Sequence, residues 1–492
     1  MSRLQTTNKQ QTSTPSRSFF GHPWGLANLA GVEMWERFSF YGMQGLLAYY
    51  IYYSVAEGGL GMPQTVATSI VGAYGGLVYL SSVLGGWVAD RLLGSEKTVL
   101  TSATVVMLGH LALALLPGGF GLGVGLVCVA VGSGSLKTTT SATLGDLYDL
   151  QDNRRDAAFS IYYMGVNIGG LIGPLLTSAV WGWKGFHWGF GLAAVVMFIG
   201  LVQYWLMRHH TITESSRKPM NPLSRHEAVR WSLIGVAAVV VIVLAVLLGI
   251  LTAENLSDVV VILTIIAAVA LFIVIGASKQ ITPTERSRVI SFIPLFIGSA
   301  VFWSLFQQQF TVLAIYADQR LDRTIFGMEL RPSVVQSINP AFIIIFAAVF
   351  AAMWTKLGNR QPVTPTKFGI GAIVMGLAFF VFIPLAGGGP NSVPLAAIVL
   401  VYFLFTMAEL CVSPVGQSLA TKLAPQAFHS QMVALFFLSV ALGTAASGSL
   451  AGFYSTDTEV PYFLTIGGIS VVVGILLIAF RKSILKLMAG VR

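Results

Sequence analysis

Charged residues are scarce in this chain of 492 amino acids, because Asp, Glu, Lys and Arg together make up only 10% of it. Soluble domains usually contain about 25% of these residues. Hydrophobic residues make up 55% of the chain, and the mean hydropathy is +0.76. This composition excludes an ordinary soluble protein and indicates an all-α membrane protein with many spans.

Residues that build reactive or metal-binding clusters are also rare. The two cysteines, Cys128 and Cys411, fall within apolar segments, so neither a disulfide nor a metal site is expected. His110 lies inside a predicted span, where a packed core residue is more common than a proton carrier. The sequence shows no nucleophile constellation, no rings of like charge and no soluble output domain, which argues against an enzyme, a channel and a sensor.

Apolar stretches long enough to cross a bilayer recur along the chain, and two basic breaks, 207–230 and 278–288, divide them into six, two and six. The two middle helices consist almost wholly of Val, Ile, Leu and Ala, so we predict that they are peripheral and face lipid. The fourteen predicted cores are 25–53, 66–89, 97–117, 120–148, 157–181, 187–207, 229–252, 256–277, 289–317, 333–356, 367–388, 393–423, 427–453 and 460–481.

This layout predicts a domain organisation typical of duplicated transporters, in which the binding site lies at the midplane between two bundles. Residues 1–20 are rich in Ser, Thr and Gln and are predicted to be a disordered tail, not a signal peptide. The N-terminal bundle is predicted over 21–208, the linker with two extra helices over 209–285, and the C-terminal bundle over 286–492.

Most of the 29 Lys and Arg residues fall in the tails and in loops on one side of the predicted membrane. The positive-inside rule then predicts cytoplasmic termini for a multi-pass protein of the plasma (inner) membrane. The exceptions in loops on the other side are Lys184, Arg320, Arg323 and Arg331. The net charge of +9 therefore predicts contact with membrane lipid headgroups and no nucleic-acid partner.

A few ionisable residues remain deep within the predicted spans, where each charge costs about 2.5–3.5 kcal/mol at a helix centre, so we expect them to face a functional cavity. Glu33, Glu36 and Arg37 lie on one helical turn. With the other deep charges their formal sum is −1, which indicates a proton site, although a static ion cluster is the alternative. The deep charges are Glu33, Glu36, Arg37, Lys137 and Glu409.

Two charges at the predicted inner surface are candidates for gating. Asp90 and Arg91 lie in the loop GGWVADRLLG between the second and third spans, where they could pair across helices. This segment is similar to the loop signature of the major facilitator superfamily, whose fold has two six-helix bundles. The signature therefore agrees with the predicted six, two, six layout.

Five segments in order along the chain resemble the proton-coupled oligopeptide transporter family within that superfamily. The segment VEMWERFSFYG at 32–42 is similar to the family's ExxERFxYYG motif, and bacterial members also carry two extra helices. The other similar segments are GSGSLKTTTSATLGDLY around Lys137, FSIYYMGVNIGGLIGPLL around Asn167, SINPAFII around Asn339 and FTMAELCVSPVGQSLATKLAP around Glu409.

The resemblance implies import of di- and tripeptides by alternating access, with the proton as coupling ion. We expect no cofactor and a functional monomer. It implies proton coupling by Glu33, Glu36 and Arg37 and binding of the peptide carboxylate by Lys137. It places the peptide amine at Glu409, Asn167 and Asn339. Independently, a zwitterion needs a cation and an anion or amide at opposite ends of its site. The other predicted substrate-binding residues are Tyr41, Gln44, Tyr79, Trp303, Gln307 and Ser413.

Three positions depart from the family pattern: Phe40 replaces a tyrosine, Gln44 replaces a frequent arginine, and Gln307 replaces a frequent acid. Losing one charge of a pair would strand the other, so we interpret the two glutamines as a joint replacement. Lys137 and Glu409 then remain as the predicted charge pair that gates between the bundles. The alternatives left open are a transporter of nitrate, a drug or a modified peptide, and one with altered proton coupling.

Overall fold

The structure is a computed structural model, and it describes residues 19–148, 152, 154–211, 217–219 and 221–491. The predicted tail lies outside the described residues except for Phe19 and Phe20. Two short strands, β1 (Thr324–Ile325) and β2 (Met328–Glu329), form a hairpin on one loop. The α-helices of the described chain are α1 (Trp24–Tyr52), α2 (Gln64–Val88), α3 (Ser95–Leu115), α4 (Gly118–Asp146), α5 (Arg155–Lys184), α6 (Phe186–Met207), α7 (Arg225–Leu247), α8 (Leu256–Ala277), α9 (Pro283–Phe306), α10 (Val312–Gln319), α11 (Ile338–Leu357), α12 (Thr364–Phe380), α13 (Leu395–Leu423), α14 (His429–Ala451), α15 (Glu459–Ala479) and α16 (Arg481–Leu487).

The predicted multi-span helical class is confirmed. Within the described residues, 13 helical segments are long and apolar enough to cross a membrane. α1 has 29 residues and occupies the first predicted span, but it differs from the others in carrying three buried charges. The predicted bounds of the two bundles and the linker stay a prediction.

Local sequence signals explain where the helices after the two basic breaks begin. Ser224 caps α7 by accepting a hydrogen bond from the backbone N–H of Glu227, whose side chain bonds back to the Ser224 backbone. Thr282 and Glu285 form the same reciprocal capping box at α9. A capping box satisfies backbone N–H groups that have no partner within the helix, and so fixes the start of the helix.

The span predicted over 289–317 is not one continuous helix. α9 ends at Phe306, a 3₁₀ turn follows over Gln307–Phe310, and α10 begins at Val312. The Thr311 hydroxyl donates to Gln308 Oε1 at 3.0 Å, and Gln308 Nε2 donates to a carbonyl of α14 at 3.4 Å. These side-chain bonds replace the helical backbone pattern at the break, which hydropathy alone does not reveal.

The two halves of the molecule touch mainly on one side, which we call the far side: the side on which α1 ends at Tyr52 and α10 ends at Gln319. Tyr49 donates from its hydroxyl to the Ala314 carbonyl at 3.1 Å, and the Ser178 and Ser333 hydroxyls lie 2.6 Å apart. α4 and α13 make no extensive contact in the part of the chain that the structure describes. The far side is therefore closed.

α2 and α14 pack closely because both carry glycine at their crossing. A Cβ atom at Gly72 would lie 2.6 Å from the Gly448 Cα, which is closer than real Cβ contacts allow. Small residues let backbones approach in this way and strengthen helix association within a membrane. The crossing joins the N-terminal half to the C-terminal half.

The two middle helices differ from each other, so the prediction that both are peripheral and lipid-facing holds only in part. α7 has no buried residue among those described. α8 instead packs against α2, α9 and α14, and Ser257, Val260 and Ala268 are buried there. The apolar composition of the two helices predicted contact with lipid. An apolar helix can equally be surrounded by other helices, and composition alone does not distinguish the two cases.

Candidate functional site

Glu33, Glu36 and Arg37 form a buried ion cluster on α1. Arg37 Nε lies 3.3 Å from Glu33 Oε1 and 2.5 Å from Glu36 Oε2. The three residues are only 1%, 0% and 4% exposed. Two carboxylates share one guanidinium, so these three residues carry a formal charge of −1. Lys137 and Glu409 add charges of opposite sign, so the predicted sum of −1 over all five deep charges is unchanged.

Hydroxyl groups from neighbouring helices complete this cluster, and none of them was predicted from the sequence. Ser133 on α4 donates to Glu36 Oε1 at 2.5 Å and accepts from Arg37 Nη2 at 3.2 Å. Thr140 Oγ1 lies 3.0 Å from Glu33 Oε2 and 2.8 Å from the Tyr162 hydroxyl. The available signal was their spacing of four and three residues from Lys137, which places all three on one face of α4.

Aromatic rings connect the ion cluster to the C-terminal half. The Arg37 guanidinium lies 4.9 Å from the centre of the Phe40 ring and 5.9 Å from that of Tyr41. Tyr41 stacks on Phe310, with ring centres 6.3 Å apart and planes at 18°. Phe310 belongs to the 3₁₀ turn that begins at Gln307, so the cluster faces the break between α9 and α10.

Lys137 lies on α4, and its ammonium group forms no ion pair with a carboxylate of the described residues. Its Nζ is 5.0 Å from the centre of the Tyr79 ring, a cation–π arrangement. Among the described residues no carboxylate oxygen lies within 4.0 Å of this ammonium group. The side chain is half-buried, so the ammonium is available to an external anion.

Glu409 lies on α13, in the other half, and also has no cation within 4.0 Å among the described residues. Asn339 Nδ2 donates to Glu409 Oε2 at 3.2 Å and to Thr406 Oγ1 at 3.1 Å. The predicted pairing of Lys137 with Glu409 is therefore not formed in this structure. One unpaired cation and one unpaired anion stand on opposite halves of the molecule.

Three other predicted binding residues, Asn167, Trp303 and Ser413, differ in their burial and contacts. Asn167 on α5 donates to the Tyr163 carbonyl at 2.9 Å and is 9% exposed. Trp303 packs so closely on α14 that a Cβ atom at Gly443 would lie 2.6 Å from its Cβ. Its indole N–H has no hydrogen-bond partner among the described residues. Ser413 is half-buried on α13, one turn beyond Glu409.

Gln44 and Gln307 are both buried, at 3% and 7% exposure, but they are not brought together by a hydrogen bond in the described part of the chain. Gln44 lies on α1, two turns beyond Glu36. Gln307 begins the 3₁₀ turn after α9. Their joint replacement of a charged pair stays a prediction.

Asp90 and Arg91 lie in a π-helical turn over Ala89–Leu93, directly after α2, and they do not pair with each other. Arg91 Nη2 forms an ion pair with Glu227 Oε1 at 2.8 Å, and the Asp90 side chain is exposed. The Arg91 carbonyl also accepts a hydrogen bond from the Leu223 N–H at 3.2 Å. The predicted gating segment is thus attached to the first turn of α7 and to the residues just before it.

A second buried ion pair lies on the far side, outside the candidate site. Arg320, predicted from the sequence to lie in a loop, is 4% exposed, and its Nη2 is 3.3 Å from Glu459 Oε2. Arg320 also donates to the Leu385 carbonyl at 2.9 Å. The pair joins the end of α10 to the start of α15, so we interpret it as a structural contact.

Comparison with known proteins shows similarity over nearly the whole chain. The family profile described as "POT family" matches residues 96–469. The "Uncharacterized transporter YclF" of Bacillus subtilis (strain 168) is 42% identical over 480 residues, covering 97% of this chain and 98% of that protein. The "Di-/tripeptide transporter" of Lactococcus lactis subsp. lactis (strain IL1403) is 39% identical over 503 residues, covering 99% and 100%.

Solved structures agree with these relatives. A crystal structure of "peptide transporter POT in complex with sulfate" superposes with a TM-score of 0.92 at 45% identity, covering 97% of this chain and 98% of that one. A POT family transporter in complex with 5-aminolevulinic acid gives a TM-score of 0.90 at 37% identity, covering 96% and 98%. The predicted major facilitator fold is confirmed, the prediction that the protein is not an enzyme is confirmed, and the chain belongs to the POT family.

Proposed function

We propose that the protein imports di- and tripeptides together with protons, by alternating access between the two halves. The observation that carries this proposal is the pair of unpaired charges, Lys137 on α4 and Glu409 on α13. A partly buried charge without a partner is costly, and a zwitterionic ligand satisfies both at once. The names of the relatives and the peptide transporters among the solved structures support peptides as that ligand.

In this proposal Lys137 binds the peptide carboxylate, and the Tyr79 ring positions the ammonium group through its cation–π contact. Glu409 binds the peptide amine, with Asn339 fixing the orientation of its carboxylate. Charge-assisted hydrogen bonds of this kind are about twice as strong as neutral ones. Asn167, Tyr41, Trp303 and Ser413 contribute polar edges and aromatic walls, which tolerate varied side chains.

The proton binds at the cluster of Glu33, Glu36 and Arg37. Its formal charge of −1 becomes zero on protonation of one carboxylate, so the proton has a site that the peptide does not occupy. Arg37 contacts Tyr41, and Tyr41 stacks on Phe310 in the other half. This chain of contacts gives the proton site a route by which it biases the packing between the halves.

The site has a charge requirement that separates the substrate classes. Nitrate alone would pair with Lys137 and leave Glu409 unpaired, so the two-charge arrangement disfavours a simple anion. A small zwitterion other than a peptide is the second candidate, because a related structure holds 5-aminolevulinic acid. Because Gln44 and Gln307 replace a frequent charged pair, transport with altered proton coupling is the alternative to the proton symport proposed above.

The protein is an integral membrane protein with many spans. We further propose that it resides in the plasma (inner) membrane with both termini in the cytoplasm, functions as a monomer and contacts anionic lipid through its basic loops. Tagging each terminus and testing its accessibility in intact and permeabilised cells checks this orientation.

Competition in liposomes tests the substrate. Purified protein is reconstituted, and uptake of a labelled dipeptide is measured against free, N-acetylated and C-amidated dipeptides and against nitrate. We expect only the peptide with both free termini to compete strongly, and Lys137→Ala and Glu409→Ala to lose uptake. Lys422→Ala, an exposed lysine of α13, is the matched control. Equal competition by the blocked peptides would overturn the assignment.

A further inference from the structure

One face of α4 contacts both the proton site and the peptide-binding ammonium. Ser133, Lys137 and Thr140 are spaced by four and three residues, so their side chains leave α4 on the same side. Ser133 bonds to Glu36, Thr140 contacts Glu33, and Lys137 points to Tyr79 between them. Lys137 lies one turn from each of these two hydroxyls, and no ion pair joins it to Glu33 or Glu36 among the described residues.

Ser133 makes two bonds that together fix the Glu36 carboxylate. The serine is 0% exposed, and its hydroxyl donates to Glu36 Oε1 at 2.5 Å while accepting from Arg37 Nη2 at 3.2 Å. The other carboxylate oxygen of Glu36 lies 2.5 Å from Arg37 Nε. Both oxygens of Glu36 are thus turned toward Arg37 and Ser133.

A hydroxyl suits this place because it serves both protonation states of the carboxylate. When Glu36 is ionised, Ser133 donates its proton to the carboxylate. When Glu36 is protonated, the acid O–H donates, and the serine oxygen accepts through its second lone pair while its own proton rotates away. Glu36 therefore stays bonded to α4 throughout a proton cycle, and only hydrogen positions change.

We propose that Ser133 is a positioning residue that holds Glu36 on Arg37 and so keeps it from pairing with Lys137. The inference rests on the proposed function, because it assumes that Lys137 binds the peptide carboxylate. Without the hydroxyl, the ionised Glu36 is free to turn toward Lys137 and to compete with the substrate. The ionisable groups around Glu36 are Glu33, Arg37, Tyr41, Tyr74 and Lys137.

The transport test compares Ser133→Ala with Ser133→Thr and Ser135→Ala in proteoliposomes. Ser135 also lies on α4 and is buried, but it packs against Gly85 and not against the ion cluster. We expect Ser133→Ala to raise the KM for dipeptide exchange about tenfold at neutral pH, the loss of one charge-assisted hydrogen bond. The increase should shrink at acidic pH, where Glu36 is protonated, and Ser133→Thr should restore the wild-type KM.

An equal increase in the KM of Ser133→Ala at both pH values would show a merely structural effect and overturn the proposal. The same increase in Ser133→Thr would also overturn it. A second measurement does not depend on transport. The infrared difference spectrum of the detergent-solubilised protein between acidic and neutral pH contains the band of the protonated Glu36, identified by its absence in Glu36→Gln. Ser133→Ala should shift this band and Ser135→Ala should not; an unshifted band would overturn the proposal even if the protein transports no peptide.

Discussion

Asp318 forms a latch that closes the far side. It lies at the end of α10, and it accepts hydrogen bonds from two phenols at the end of α1: Tyr52 at 2.6 Å to Oδ2 and Tyr53 at 2.7 Å to Oδ1. Arg323 is a weaker partner, with Nη1 at 3.9 Å from Oδ1. In alternating access these bonds must break whenever the far side opens.

Asp318→Asn removes the charge and keeps the shape. A hydrogen bond to a charged group contributes about 1.5–3 kcal/mol, against about 0.5–1.5 kcal/mol for a neutral one. The amide also directs an N–H group at one phenol, which must then accept. The loss per bond is the difference between these two contributions, about 1–1.5 kcal/mol. Because the Asp318 side chain is 16% exposed, we take the lower value, about 1 kcal/mol for each bond. The closed far side should lose about 2 kcal/mol, or about thirtyfold in its equilibrium with the open state.

Double electron–electron resonance, which measures the distance between two spin labels, tests this shift toward the open state. Labels at Val55→Cys and Phe326→Cys report the far side, since these residues are 75% and 98% exposed and lie on opposite halves. Cys128 and Cys411 are first replaced by alanine.

We expect a longer-distance population to grow in Asp318→Asn. Glu329→Gln is the control, because Glu329 pairs only with Arg323 on its own loop among the described residues. Distance distributions that are identical in wild type and Asp318→Asn would refute the latch.

The sequence was informative where a residue type was costly in its predicted surroundings. A carboxylate in an apolar segment demands a partner or a cavity, and that argument found Glu33, Glu36 and Glu409 without any structure. The six, two, six layout followed from hydropathy in the same way, because each span must satisfy its own backbone bonds.

The sequence was uninformative where the decisive partner is far along the chain or chemically ordinary. Ser133 and Thr140 are hydroxyls in a helix rich in Ser and Thr, and only their contacts with α1 distinguish them. Arg320 follows a predicted span and reads as a loop residue until Glu459 is seen beside it. The break between α9 and α10 depends on side-chain hydrogen bonds that no hydropathy pattern records.

Two further predictions concern the contacts that hold the halves and their elements together. Arg320→Met should lower the free energy of unfolding by about 3–5 kcal/mol, because it leaves the buried Glu459 carboxylate without a cationic partner. The control is Arg323→Met, which removes a partly exposed arginine. A Tm of Arg320→Met no lower than that of Arg323→Met would contradict the prediction. Gly448→Ala would place a Cβ atom 2.7 Å from a carbonyl of α2, so peptide exchange should fall sharply, while Gly468→Ala, with no heavy atom within 4 Å of its added Cβ, should exchange like wild type. Equal exchange rates in the two glycine variants would show that the close crossing is not needed.

The most direct test of the account is accumulation of a labelled dipeptide in liposomes under an inward proton gradient. Wild-type protein should concentrate the peptide above its outside level, and it should cease to do so when the gradient is collapsed. Glu33→Gln and Glu36→Gln should lose this accumulation and retain exchange of peptide between the two sides. Concentrative uptake that persists in both variants would contradict the assignment of the proton site to the α1 cluster.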